Sequence, residues 1–131
     1  MGKTKFVGEY QINASQKMLF PYISTASGLA QWFADDVNIN EDKVYSFEWD
    51  GEEFKAIKSS HKINHHVRFE FLPVTEEDED DRSYIEVKLD VNDLTQSVFI
   101  KITDYSALDD MEEQYDVWEN TVLSLKEIIG G

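Results

Sequence analysis

Apolar and polar residues alternate along most of this chain with a period of two, and in two regions the period shifts to that of a helix. The run KFVGEYQI sets Phe6, Gly8, Tyr10 and Ile12 against Val7, Glu9 and Gln11, the pattern of a strand with one face toward a core. From Asn13 the chain reads NASQKMLFPYIS, where Asn13 or Ser15 can cap a short helix carrying Met18, Leu19, Tyr22 and Ile23. Pro21 limits the regularity of that helix, because an interior proline removes a backbone donor. Thr25 and Ser27 can cap a second short helix, ASGLAQWF, in which Leu29, Trp32 and Phe33 fall at i, i+3 and i+4 and face inward.

Alternation then returns. VYSFEW puts Tyr45, Phe47 and Trp49 on one face, and Asp50-Gly51 is the strongest hairpin signal in the chain, followed by a return strand carrying Phe54, Ala56 and Lys58. HVRFEFL, YIEVKLDV and SVFIKIT repeat the pattern, with Val67, Phe69 and Phe71, then Ile85, Val87, Leu89 and Val91, then Val98, Ile100 and Ile102 on the apolar face. Successive strands with one polar and one apolar face describe an antiparallel sheet covered on one side. The cover is a helix near the C-terminus: Met111, Tyr115, Trp118, Val122, Leu125 and Ile129 are spaced 4, 3, 4, 3 and 4, an apolar stripe of about five turns. Asp109, Asp110, Glu112 and Glu113 suit the positive end of its dipole, and Gly130 and Gly131 end it. The expectation is an α+β fold and a single domain over residues 1–131. Its antiparallel sheet curves around the long C-terminal helix, and two short helices follow the first strand.

Composition changes this picture little but narrows function. A chain of 131 residues that is 41% hydrophobic can bury one proper core. A net charge of −15 repels phosphate backbones and anionic lipid, so neither a nucleic-acid partner nor membrane insertion is expected. Glu76, Glu77, Asp78, Glu79, Asp80 and Asp81 read as a solvated acidic loop, since a calcium loop of the EF-hand kind needs alternating acids and a glycine at the bend. The N-terminus lacks the apolar core of a secretory signal, and no run of about 18 apolar residues occurs, which points to the cytoplasm.

Candidate chemistry is sparse. There is no cysteine, hence no thiol nucleophile or thiolate ligand. On a continuous strand His65 and His66 point to opposite faces and His61 and His65 lie about 13 Å apart, although a turn at Asn64 shortens that distance. Asp35 and Asp36 read as solvated turn or capping residues, and Ser59, Ser60 and His61 form no triad by adjacency. No metal or cofactor is expected, and the reading leans away from an enzyme.

The order of elements, with YISTASGLAQWFADDV, YSFEWDGEEFKAI and DDMEEQYDVWENTVLSLKEIIG, resembles the helix-grip fold of the START-like superfamily, also called SRPBCC or birch-pollen-allergen-like. The resemblance is to the branch that includes activators of the large heat-shock chaperone's ATPase and polyketide-binding resistance proteins. It implies non-catalytic binding of a lipid, sterol or polyketide-like molecule between sheet and helix. The candidate lining is Trp32, Phe33, Phe47, Trp49, Phe54, Phe69, Met111, Tyr115 and Trp118. The same rings can instead simply fill the core. Two alternatives stay open. One is a protein-interaction module that docks through its acidic exterior, with Leu108, Tyr105 and Val117 as apolar contacts; the other is a polyketide cyclase-like enzyme using Tyr45, Lys58 or Tyr115. Oligomeric state is undetermined, since an edge strand can pair or not.

Overall fold

In a computed structural model that describes residues 3–74, 76–107 and 111–130, the opening alternation forms strand β1, Thr4–Ile12, with Phe6, Gly8 and Ile12 buried. Ser15 caps helix α1, Gln16–Ser24, by accepting from the Met18 amide at 3.0 Å. Leu19 and Ile23 are its buried residues and Met18 is exposed, so its inward face is narrower than predicted. Thr25, in extended conformation, caps α2, Ala26–Leu29, by accepting from the Gly28 amide at 3.0 Å. Here the structure departs from the expected helix through Phe33. After Leu29 the regular repeat loosens into turns closed by Gln31 N–H to Gly28 O and Trp32 N–H to Leu29 O. Trp32 and Phe33 therefore follow the helix rather than end it, which frees their rings to turn inward.

The remaining strands are β2 (Asp36–Ile39), β3 (Val44–Trp49), β4 (Glu52–Lys62), β5 (His66–Phe71), β6 (Tyr84–Val91) and β7 (Val98–Ser106). With β1 they form one antiparallel seven-stranded sheet in the order β1-β7-β6-β5-β4-β3-β2. Asp50 and Gly51 both have positive φ, 52° and 83°, the conformation that an Asp-Gly hairpin turn supplies. Every predicted strand is present, and its phase agrees: Tyr45, Phe47, Val67, Phe69, Ile85, Val87, Leu89, Ile100 and Ile102 are buried on one face. β2 was not expected. It begins at Asp36, read from sequence as a turn residue, because pairing with β3 from Asp36–Glu48 to Ile39–Tyr45 outweighs a polar sequence. The acidic segment read as a loop instead forms a short helix, α3, Glu76–Asp80. Acids in a first helical turn face the positive end of the dipole, which favours this local coiling.

Helix α4, Met111–Ile129, packs against β1 and buries Trp118, Val122 and Leu125 of the predicted stripe, while Tyr115 stays half exposed. α1 packs on β5 and β6, and α2 on β2, so all three cover the apolar face of the sheet. The core lies between. No helix among the described residues is long and apolar enough to cross a membrane.

Candidate functional site

The aromatic pair after α2 is stitched in from two sides. Trp32 donates its indole N–H to Tyr22 O of α1 at 2.8 Å, and Phe33 O accepts the indole N–H of Trp49 on β3, also at 2.8 Å. Asp35 continues the link: its carboxylate accepts from the Asp50 amide at 3.0 Å, and its own amide donates to Glu48 O. Held in this way, Phe33 sits at the centre of a ring cluster. Its centroid lies 5.5 Å from Trp32 and Phe47, 5.6 Å from Trp49, 5.7 Å from Trp118 and 6.4 Å from Phe69.

Above this cluster a cleft of about 1380 Å³ opens to solvent between α4, the segment 30–35, the β3–β4 hairpin and residues 71–74 after β5. Five of the nine side chains expected to line a cavity do so: Trp32, Phe33, Trp49, Phe54 and Trp118. Phe47 and Phe69 are fully buried beneath it and serve as packing. Tyr115 lies outside it, edge-on to Phe6 with centroids 6.4 Å apart. Met111 begins α4, but its side chain falls outside the described residues. Phe71 joins the wall although it was placed only as core. Both readings of the aromatic set thus have a physical counterpart, with one layer of rings filling the core and another facing the cleft.

One buried charged group in the cleft wall was missed by the sequence reading. Asp104, on β7, is 5% exposed and accepts from Gln114 Nε2 at 2.7 Å, Ser106 Oγ at 2.9 Å and the Trp118 indole at 3.1 Å. Burial pushes its carboxyl above the usual carboxylate range, and these three hydrogen bonds only partly oppose that. A signal was available: Ile100, Ile102 and Asp104 continue one alternation, which aims an acid at the core. By contrast, none of the three groups named for an enzymatic reading, Tyr45, Lys58 and Tyr115, lines the cleft. Tyr45 is buried and stacked on Phe47, and Lys58 donates to Ser24 O at 2.9 Å.

The histidines differ from expectation. β4 ends at Lys62, and Asn64, with φ 61°, turns the chain before β5 starts, so His65 lies off the strand and its Nδ1 sits 2.7 Å from that of His66. The two rings face each other rather than opposite faces of a sheet, and His66 is held below the ordinary histidine range by burial first and then by His65. His66 Nε2 also lies 3.1 Å from Ser60 Oγ, but neither residue borders the cleft. No group of three or more metal-ligating side chains occurs among the described residues. Tyr10, also off the cleft, has a buried hydroxyl without a hydrogen-bond partner, and burial pushes its pKa up to about 12.

Of the exterior apolar residues considered, Val117 is half exposed at the cleft edge, and Tyr105 donates its hydroxyl to the Asp81 carboxylate at 2.8 Å. Leu108 lies outside the described residues.

Residues 1–131 match the family described as START-like superfamily domain. Among solved structures, the protein BfR322 from Bacteroides fragilis is 34% identical, with a TM-score of 0.62 over 98% of this chain and 93% of that one. The Aha1 dimer from Colwellia psychrerythraea is 18% identical with a TM-score of 0.74, covering 95% of this chain and 94% of its own. DynU16, described as a putative protein in the dynemicin biosynthetic locus, is 13% identical with a TM-score of 0.73 over 96% of this chain and 47% of that one. The latter two share the fold. No curated protein matches the chain.

Proposed function

Because the chain belongs to the START-like superfamily along its whole length, we propose that the cleft between α4 and the β3–β4 hairpin binds a small apolar or aromatic molecule and holds it without chemical change. One observation carries this reading. The cleft is walled by Trp32, Trp49, Phe54, Phe71 and Trp118, with the largely buried polar cluster around Asp104 among them and the charged side chains Asp35, Asp50, Glu53 and Lys55 also on its lining. Ligand sites set orienting polar groups among apolar and aromatic walls.

The test is thermal stability against a panel of lipids, sterols and flat aromatic compounds, with wild type beside Phe54→Ala. Phe54 is 38% exposed, so its loss spares the core while removing part of the cleft wall. A ligand at one hundred times its Kd stabilises by about 2.7 kcal/mol, a readily measured shift. A saturable rise in Tm that is weaker in Phe54→Ala is the expected result. No shift with any compound overturns the reading.

A second reading has its own observation. On α4, Leu123 and Ile128 are 46% and 40% exposed, with Glu119 and Glu127 exposed on the same helix. Leu123 lies one turn from Glu119 and one turn from Glu127 on the same helix face, and an exposed apolar side chain flanked by acids fits docking by a basic protein partner. Leu123→Glu would abolish such docking and leave ligand binding intact.

A further inference from the structure

The Asp104 cluster narrows the chemistry of the occupant. All three groups that hydrogen-bond this carboxylate are neutral donors: an amide, a hydroxyl and an indole. Among the described residues Oδ2 accepts two of them and Oδ1 accepts one, against about four lone-pair positions on a carboxylate. No Lys or Arg contributes to the shift of this group, and its surroundings raise rather than lower its affinity for a proton. A buried carboxylate without a cation is an unfavourable arrangement in a free protein, and it is relieved by a counter-charge brought from outside.

The rest of the cleft points the same way. Its charged lining is Asp35, Asp50 and Glu53 with Asp104, against Lys55, so the potential inside it is negative. The walls bring Trp49, Trp118 and Phe54, whose ring faces attract a desolvated cation. A carboxylate-bearing ligand would meet repulsion at both mouth and wall, and a purely apolar one would leave Asp104 uncompensated.

We propose that the ligand of this cleft is a cationic amphiphile, an apolar or aromatic body carrying a protonated amine that docks on Asp104. This rests on the cleft being the binding site. The amine adds a charged N–H donor to Oδ1, and the ring system lies against Trp49 and Trp118.

Three probes of one shape separate the possibilities: pyrenemethylammonium, pyrenemethanol and pyrenecarboxylate, titrated into the protein with pyrene fluorescence as the readout. The expected order is ammonium tightest, by about tenfold or more over the alcohol, with the carboxylate weakest, as a charge-assisted hydrogen bond in a partly dry site provides. Non-specific attraction to a chain of net charge −15 is removed by repeating the series at about 1 M salt, where the Debye length is about 3 Å. In Asp104→Asn the advantage of the ammonium over the alcohol should vanish, and in Glu9→Gln, an exposed acid of β1 away from the cleft, the advantage should persist. Equal affinities for ammonium and alcohol in the wild type overturn this inference and leave cleft binding standing. A preference that survives Asp104→Asn also overturns it, by placing the cation elsewhere. Failure of all three probes to bind overturns both the inference and the cleft as the site.

Discussion

Phe33→Ala is the sharpest test of how the core supports the cleft. Phe33 is 2% exposed and touches Trp32, Phe47, Trp49, Phe69 and Trp118. Truncating a buried phenylalanine costs about 3–5 kcal/mol through lost transfer energy plus the cavity left behind. Aromatic pairs add about 0.5–1.5 kcal/mol each beyond buried area, though not additively when five share one ring. The Trp49 indole is tied to the Phe33 carbonyl and the Trp32 indole to Tyr22 O, which holds the surrounding rings in place and keeps them from collapsing into the gap. The expected loss is therefore in the upper part of the range, about 4–5 kcal/mol. For a domain of this size that corresponds to about 12–20 °C in Tm. Urea unfolding followed by tryptophan fluorescence measures it, with Phe54→Ala as the comparison, whose ring at 38% exposure should cost less than about 1.5 kcal/mol. A dry aromatic-lined cavity should also bind benzene or indole and recover part of the loss. If Phe33→Ala costs no more than Phe54→Ala, the assignment of Phe33 as the packing centre is wrong.

Two further outcomes follow from particular positions. A Cβ at Gly28 would collide with Pro21 O and stand 2.7 Å from Tyr22 Cα, and neither backbone atom can rotate away. Gly28→Ala should therefore destabilise by about 2 kcal/mol or more in calorimetry, although alanine normally gains about 1 kcal/mol in a helix; a gain in stability would contradict the close approach of α1 and α2. For Asp104 the folded carboxyl lies above its ordinary value, so the native state holds this proton more tightly than the unfolded chain. The group's favourable contribution is fully present below about pH 4 and is lost as pH rises through the folded value. Stability curves of wild type and Asp104→Asn should accordingly shift in favour of the variant as pH rises from about 4. A shift toward the wild type over that window would mean the three hydrogen bonds outweigh burial.

The sequence by itself determined the elements whose physics is local. Period-two alternation set the inward face of six strands, and Asp50-Gly51 set a hairpin because both residues take positive φ at low cost. Ser15 and Thr25 marked helix starts because their hydroxyls satisfy free amides, and Trp118, Val122 and Leu125 marked the buried face of α4 by helical spacing. Part of the site was legible too: Asp104 continues the Ile100–Ile102 alternation, two residues past the point where the apolar pattern stops. What periodicity does not carry is depth and encounter between distant segments. It places Phe47 and Trp49 on the same face equally, yet tertiary packing buries the first completely and leaves the second at the cleft. It gives no sign that Gln114 and Trp118 meet Asp104 across ten and fourteen residues of chain, or that a turn at Asn64 folds His65 onto His66. It also treats Asp36 as a turn, because the strand there is imposed by its partner β3. One-dimensional patterns specify which way a side chain faces. Whether it then fills a core, walls a cleft or anchors a charge is decided by which other segments arrive opposite it.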